Sequence, residues 1–349
     1  MKKTVVAVLF GGCSTEHEVS LQSAHAVLSH LDVQRFVPLT IGITRQGQWL
    51  YYNGPLERIA DGSWCNDHLF CTPCTLSLDK GVHQVVVEGD HRMRFSFDVL
   101  FPILHGKNGE DGTVQGLAEL MDVPLAGCGT LASALCMDKD RAHRLAQQAG
   151  IEVPASAVFE RGASLQDIRR AAEEIGWPLF VKPVRSGSSI GIARVQNQQE
   201  LQKAVEKAFT HDDRVLLEQE IQGFEVGCAV LGNRELTVGC VDEIELAGGF
   251  FDFEEKYTLK TSRIHCPARL SEQDAHRIQQ AAKQLYKAMG CRVFARVDLF
   301  FTPEGRIVFN EINTIPGFTA HSRYPSMMKA AGMDFDHLVS RLVELGMEA

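Results

Sequence analysis

The stretch Val293-Phe-Ala-Arg-Val-Asp-Leu-Phe-Phe301, continuing through Pro303-Glu-Gly305 into Arg306-Ile-Val-Phe-Asn-Glu-Ile-Asn313, decides the reading of this chain. Two apolar runs flank a proline–glycine turn, a pattern that predicts an antiparallel hairpin. Side chains alternate between the faces of a strand, so Glu311 and Asn313 share one face. A turn near Glu304 brings Asp298 opposite residue 310 or 311. Two carboxylates and an amide oxygen then converge between Val297, Leu299, Val308 and Phe309. Carboxylates are costly to bury without partners. Hard oxygen donors suit Mg2+, which takes one or two carboxylates and fills its shell with water and phosphate oxygens. A buried ion pair to Arg296 or Arg306 is the competing reading.

Upstream, Lys182-Pro-Val-Arg-Ser-Gly-Ser-Ser-Ile-Gly191 links predicted strands at 179–182 and 190–195. Its glycines let backbone N–H groups approach phosphate oxygens, Ser188 and Ser189 add donors, and Lys182 adds a charge. No GxxxxGK[ST] occurs, so this is not a Walker A loop. Alone it reads as a flexible hairpin; beside a Mg2+ site it reads as a nucleotide-phosphate loop. Strands are expected at 215–219, 225–231 and 236–244. A helix follows from Ser271, with Asp274 completing a capping box, and ends at Gly290. Helices are also expected at 138–149 and 164–175.

The first third opens with a strand at 4–10, then Gly11-Gly12, then a helix burying Leu21, Ala24, Leu28 and Leu31, with Ser14 or Thr15 as its cap. With strands at 36–43 and 95–100, this βαβ-like start predicts an open α/β sheet. Residues 51–92 read as loops and short strands. Gly11-Gly12 lacks GxGxxG, and Ile41-Gly-Ile-Thr44 offers no acid to read a ribose, which argues against a nicotinamide-dependent dehydrogenase. His105-Gly-Lys-Asn-Gly-Glu-Asp-Gly112 is a glycine-rich loop after an apolar strand, a common place for function.

Length and composition set outer bounds. At about 100–200 residues per domain, 349 residues predict two or three domains. With 45% hydrophobic and 23% charged residues, intrinsic disorder is excluded. The 35 basic residues against 44 acidic give −9 without a basic block, which argues against nucleic acid and anionic membranes as partners. No apolar run nears the ~18 residues of a membrane span, and Met-Lys-Lys with a short strand is not a signal peptide. A cytoplasmic protein is expected. Among ten cysteines, Cys65, Cys71 and Cys74 cluster near His68 and His83. A single CxxC is a weak zinc or redox signal, and a surface loop is the plainer alternative.

Taken together, the chain resembles the ATP-grasp D-alanine–D-alanine ligases. The carrying segments are Gly11-Gly-Cys-Ser-Thr-Glu-His-Glu-Val-Ser20, His105-Gly106 with Gly109-Glu-Asp-Gly-Thr113, Met137-Asp-Lys139, Val181-Lys-Pro183 with Arg185-Ser-Gly-Ser-Ser189, Glu255-Lys-Tyr257, Arg296-Val-Asp298, and Glu311-Ile-Asn313 with Pro316-Gly317. The resemblance implies an α/β (α+β) ATP-grasp fold with an N-terminal Rossmann-like open-sheet domain. Its three domains would span 1–124 (first D-alanine), 125–212 (central ATP-grasp) and 213–349 (Mg2+ and second substrate). ATP would phosphorylate the carboxylate of D-alanine, and the amine of a second D-amino acid would attack the D-alanyl phosphate.

By the same resemblance, Lys139, Lys182 and Lys256 contact ATP phosphates, and Glu218 and Glu225 the adenine and ribose. Asp298, Glu311 and Asn313 hold Mg2+, two ions by expectation, with Mn2+ as a substitute. Glu16 anchors the first D-alanine, with His105 nearby. Arg296 and the Gly317 N–H stabilise the tetrahedral oxyanion. Glu16, Ser188 and Tyr257 close the loop over the site. Tyr257 stands where lactate-using ligases have histidine, which favours an amine nucleophile. His321-Ser-Arg-Tyr-Pro325 carries Arg323 where the housekeeping enzymes have leucine. Arg323, with Ser322, Asp242 and Phe251, would hydrogen-bond a serine hydroxyl; a structural Arg323–Asp242 ion pair is the alternative.

The stretch 250–262 also looks like the vancomycin-resistance D-alanine–D-serine ligases. These residues favour D-serine over D-alanine, with D-lactate third. The expected role is peptidoglycan precursor synthesis and vancomycin resistance by a homodimer. A housekeeping D-alanine–D-alanine ligase is the alternative. A non-catalytic ATP-binding module is disfavoured, because Arg296, Asp298, Glu311 and Asn313 are all present.

Overall fold

The apolar run that opens the chain becomes β1 (Thr4–Gly11) in a computed structural model that describes residues 2–66, 68–89, 92–246 and 262–348. It runs parallel to β2 (Phe36–Ile43) on one side and to β7 (Val99–Ile103) on the other. Val6 through Phe10 are fully buried, as a strand covered on both faces requires. Helix α1 (His17–Ser29) makes the βαβ crossover and buries Leu21, Ala24 and Leu28. Its N-cap is Glu16, without a side-chain cap; Ser14 instead accepts the Glu16 N–H and donates to the His105 carbonyl, so the expected Ser14 or Thr15 cap is not formed.

Short antiparallel strands β3 (Trp49–Tyr52), β4 (Cys71–Leu76), β5 (Gln84–Val87) and β6 (Met93–Ser96) extend this sheet in the order β6-β5-β4-β3-β2-β1-β7. The strand expected at 95–100 is in fact the end of β6 and the start of β7. These lie at opposite edges of the order yet are joined by Phe97-Asp98, a reach of about 10 Å. The sheet therefore curls back on itself, and Asp98 ties the seam by accepting the Val5 N–H at 2.7 Å. Cys71 and Cys74 both lie on β4 but face different cores, so their CxxC is neither a chelate nor a surface loop. Burial pushes the Cys74 thiol up to about 12. No metal-binding cluster of His, Cys, Asp and Glu occurs among the described residues.

After α2 (Glu57–Ala60), α3 (Thr113–Met121) and α4 (Thr130–Met137), helix α5 (Lys139–Gln148) starts at Asp138, whose carboxylate accepts the Arg141 N–H. A second sheet, β10-β9-β11-β8, is built from β8 (Ser156–Glu160), β9 (Leu179–Pro183), β10 (Ala193–Val195) and β11 (Arg214–Gln219). Its core is closed by α6 (Leu165–Ile175) and α7 (Gln198–Ala208). Strand β10 is shorter than the expected 190–195, because Ser188, Ser189 and Gly191 take left-handed backbone angles and form a turn first.

The third sheet, β14-β13-β12-β15-β16, is antiparallel throughout: β12 (Phe224–Leu231), β13 (Thr237–Leu246), β14 (Ser262–His265), β15 (Phe294–Phe301) and β16 (Ile307–Asn313). Helix α8 (Glu272–Ala288), capped by Ser271, packs on the face of Val226, Cys228 and Val230. Helix α9 (Arg323–Ala330) packs on the opposite face, against Ala229 and Leu231. Helix α10 (Phe335–Met347) returns to the first sheet, sharing a core with Val6, Val8 and Phe101. That return brings residues near 16 and 105 against those near 315. No helix among the described residues is long and apolar enough to cross a membrane.

Candidate active site

Register builds the centre of the site. Asp242 on β13 lies opposite Gly227 on β12, Gly227 opposite Asp298 on β15, and Asp298 opposite Glu311 on β16, while Arg296 lies opposite Asn313. Arg296 grips Asp298 through two bonds of 2.8 and 2.6 Å, and the Asn313 amide donates to Asp298 at 2.9 Å. The ion pair held open by the sequence is therefore made with Arg296, whereas Arg306 pairs with Glu152 at the surface. Arg323, at the start of α9, grips Asp242 through Nε and Nη2, both at 2.8 Å, and donates through Nη1 to Glu225 at 2.7 Å. The same Nη1 lies 3.5 Å from Asp298. Burial works against both guanidinium charges, but Asp298 for Arg296 and Asp242 for Arg323 more than restore them.

The donor set fits a hard cation. Asp298 and Glu311 are cross-strand neighbours with Asn313 two residues on, and a carboxylate oxygen engaged by a guanidinium keeps lone pairs for a metal. Arg296 and Arg323 offset the charge of the buried Asp298, and Lys139 faces the partly exposed Glu311.

Two cavities meet at this row. One, of about 720 Å3, is lined by Glu16, His105 and Glu110 from the first sheet and by Arg296, Gly317 and Arg323 from the third. The other, of about 430 Å3, is lined by Lys182, Ser189 and Glu218 from the second sheet and its loop, and by Glu225 and Arg269 from the third. Lys139, Ser186 and Glu311 border both. The Lys139 ammonium donates to the Ser186 carbonyl at 2.8 Å and stands 3.9 Å from Glu311. Lys139 thus sets a positive charge at the wall that the two cavities share. Lys182 is buried, ion-paired to Glu218.

At the first cavity, the Ser188 hydroxyl donates to Glu16, so the Gly/Ser turn is latched to α1's N-terminus. His105 lines the same cavity as Glu16, and both of its ring nitrogens are engaged there. Its Nδ1 lies 2.8 Å from the Ile315 carbonyl and must carry the proton. Nε2 then accepts from Ser23, 3.0 Å away, while Ser23 accepts the Phe318 N–H at 3.1 Å. Burial, only partly offset by Glu16, holds the ring neutral. Both nitrogens are thus committed to holding the 315–318 segment, and His105 positions the cavity wall rather than offering a nitrogen to substrate.

Glu110 clamps the same wall by accepting the Gly106 N–H at 2.8 Å and the Ile315 N–H at 3.2 Å. Burial, then the charge of Glu16, push its carboxyl up to about 8, against the pull of the backbone donors. Between its ordinary 4.5 and about 8, the folded chain holds a proton that the unfolded chain releases. This contribution to stability is complete below the lower value and is lost as pH rises through the higher. Tm measured from pH 6 to pH 9 is expected to fall more steeply for the wild type than for Glu110→Gln; parallel curves would contradict it.

Asp242 is fully buried behind Arg323, and thus acts through it rather than on a ligand. Ser322 accepts the Thr319 N–H at 3.0 Å and stands at the N-cap of α9, shaping the loop beside Gly317. Tyr257, Lys256 and Phe251 lie outside the described residues. Ser23 and Glu110 were not singled out from sequence, although a serine on the apolar face of α1 is a readable sign of a buried polar contact. Arg269, bound to Glu243 and Glu245 at the rim of the second cavity, carried no such sign.

Models of the D-ala D-ala ligase N-terminus and C-terminus match residues 5–128 and 145–344. The chain is 44% identical to the vancomycin/teicoplanin A-type resistance protein VanA of Enterococcus faecium, covering 100% of both chains. It is 42% identical to a D-alanine–D-alanine ligase of Caldicellulosiruptor bescii, covering 100% of this chain and 96% of that one. The crystal structure of the VanG D-Ala:D-Ser ligase from Enterococcus faecalis matches with a TM-score of 0.91 at 52% identity, covering 99% of this chain and 100% of that one. The fold is accordingly ATP-grasp. With two cavities meeting at a shared lysine and a carboxylate row, the chain belongs to the D-alanine–D-alanine ligase family, ATP-dependent ligases that form a peptide or ester bond to D-alanine.

Proposed function

We propose that this ligase joins D-alanine to D-serine. The observation that carries the choice is Arg323, a buried guanidinium pinned by Asp242 in the wall of the first cavity. A methyl group prefers an apolar wall there; a hydroxyl finds a polar one. The 52% identity to a D-Ala:D-Ser ligase supports the same choice.

In this reading Glu16 holds the ammonium of D-alanine while its carboxylate takes the terminal phosphoryl group of ATP. Lys139 and Lys182 neutralise the phosphates, Ser189 offers a further donor, and Glu218 and Glu225 receive the adenosine end. The D-serine amine then attacks the D-alanyl phosphate, and phosphate and one proton are lost. Arg296 and the Gly317 N–H stabilise the negative oxygen that develops on the attacked carbon. Asp298, Glu311 and Asn313 would hold Mg2+, which when bound neutralises phosphate oxygens. The three sheets support units over 1–124, 125–212 and 213–349. The reading places a homodimer in the cytoplasm, supplying peptidoglycan precursors for vancomycin resistance.

ADP release with Mg2+, ATP and D-alanine, with D-serine, D-lactate or more D-alanine added and the product mass checked, tests the proposal. D-alanyl-D-serine is expected at the highest kcat/KM; dominant D-alanyl-D-alanine would make this a housekeeping-type ligase. That second reading has one observation in its favour, since Arg323 is already engaged by Asp242 and Glu225. Arg323→Leu is expected to shift the D-serine to D-alanine ratio of kcat/KM by about tenfold or more toward D-alanine. It leaves Asp242 unpaired, so the measurement is made alongside Arg323→Leu/Asp242→Asn. Because Glu225 borders the nucleotide cavity, KM for ATP is expected to move too; an unchanged ratio would sink the assignment.

A further inference from the structure

We infer that Gly227 sets selectivity for the second substrate by leaving empty the position on the sheet through which Arg323 reaches Asp242 and Asp298. The inference rests on the role proposed for Arg323.

Gly227 sits inside β12, where glycine weakens a strand and marks close approach by another group. Its φ lies outside the left-handed region, so the backbone does not require glycine. Space does. A Cβ at 227 would stand 2.4 Å from Arg323 Nη2, 2.6 Å from Asp242 Oδ1 and 3.0 Å from the Met327 methyl. The methionine end is flexible and can yield. The guanidinium is held by Asp242 on one side and Glu225 on the other, and Asp242 is fully buried in the sheet. Asp242 and Asp298 are the direct cross-strand neighbours of Gly227, so the missing side chain opens a slot between two carboxylates. An alanine would push the guanidinium out of that slot and toward the cavity. Gly239 on β13 is different, because a Cβ there would meet the Met327 backbone at 2.9 Å. Its three nearest neighbours all belong to Met327 of helix α9, so it serves as a control.

The test compares kcat/KM for D-serine and D-alanine in wild type, Gly227→Ala, Arg323→Leu, the double variant and Gly239→Ala, each assayed below its own Tm. Gly227→Ala is expected to lower the D-serine to D-alanine ratio about tenfold and to add nothing once Arg323→Leu is present. Gly239→Ala is expected to lower Tm without moving the ratio. An unmoved ratio in folded Gly227→Ala, or effects that multiply in the double variant, would overturn the inference. If Gly227→Ala does not fold but the double variant does, the conflict is with Arg323 and the inference stands; if neither folds, it fails. Should the wild type prefer D-alanine, the D-serine reading falls. The coupling of 227 to 323, read then as KM for D-alanine, still decides this inference.

Discussion

Arg296→Ala is expected to lower kcat for dipeptide formation by about 10²–10³, the usual loss when a donor to a developing oxyanion is removed. The burst of ADP on mixing with ATP and D-alanine is expected to persist, because phosphoryl transfer precedes the step proposed for Arg296. Equal losses in both steps would place Arg296 in phosphoryl transfer through its partner Asp298 instead. Stability falls as well. Asp298 is 1% exposed, and deleting one partner of a buried pair costs about 3–5 kcal/mol. Here Arg323, 3.5 Å away, and the Asn313 amide soften that loss. Arg296→Lys separates the two effects, since it keeps the charge but not the two-pronged grip on Asp298. Lysine should recover most of the Tm and little of the rate.

Lys182→Met is the second large effect. Lys182 and Glu218 are both buried, and the ammonium also lies 5.5 Å from the centre of the Phe180 ring. The substitution strands Glu218 as an unpaired buried charge, with an expected loss of about 3–5 kcal/mol. His143 Nε2, 3.8 Å from Glu218, is kept from protonating mainly by burial. It can take a proton once the lysine is gone, so the loss should be smaller at acid pH. Lys182→Met/Glu218→Gln is expected to regain most of the stability. It should not regain ATP binding, where one charged contact is worth about tenfold to a hundredfold in KM. A double variant with normal KM for ATP would reduce Lys182 to a structural partner of Glu218.

Much of this molecule is local, and the local part was legible. The hairpin from 293 to 313 could be drawn from its alternation and its Pro-Glu-Gly turn, and Asp298 does face Glu311. Ser271 caps its helix by accepting the Asp274 N–H, and Ser188, Ser189 and Gly191 turn the chain within the Gly/Ser stretch. These follow from periodicity, capping and turn chemistry, which act over a few residues.

What only the tertiary structure decided involves partners far apart in the chain. Neither the mixed Met-Arg-Phe-Ser of β6 nor the apolar run of β7 gave a sign that the chain changes sheet edge at Phe97-Asp98. No spacing rule connects Ser23, His105 and Phe318, or Glu110 and Ile315; they meet because α10 folds back onto the first sheet. Arg323 could be singled out as unusual and its pairing with Asp242 held open as the alternative, which the structure makes, but not its further partners Glu225 and Asp298. The sequence by itself determined which donors and charges the site contains and on which strands they stand. Burial and cross-strand register decided which of them neutralise one another and which face the cavities. Those two quantities depend on the packing of three sheets, which no single segment encodes.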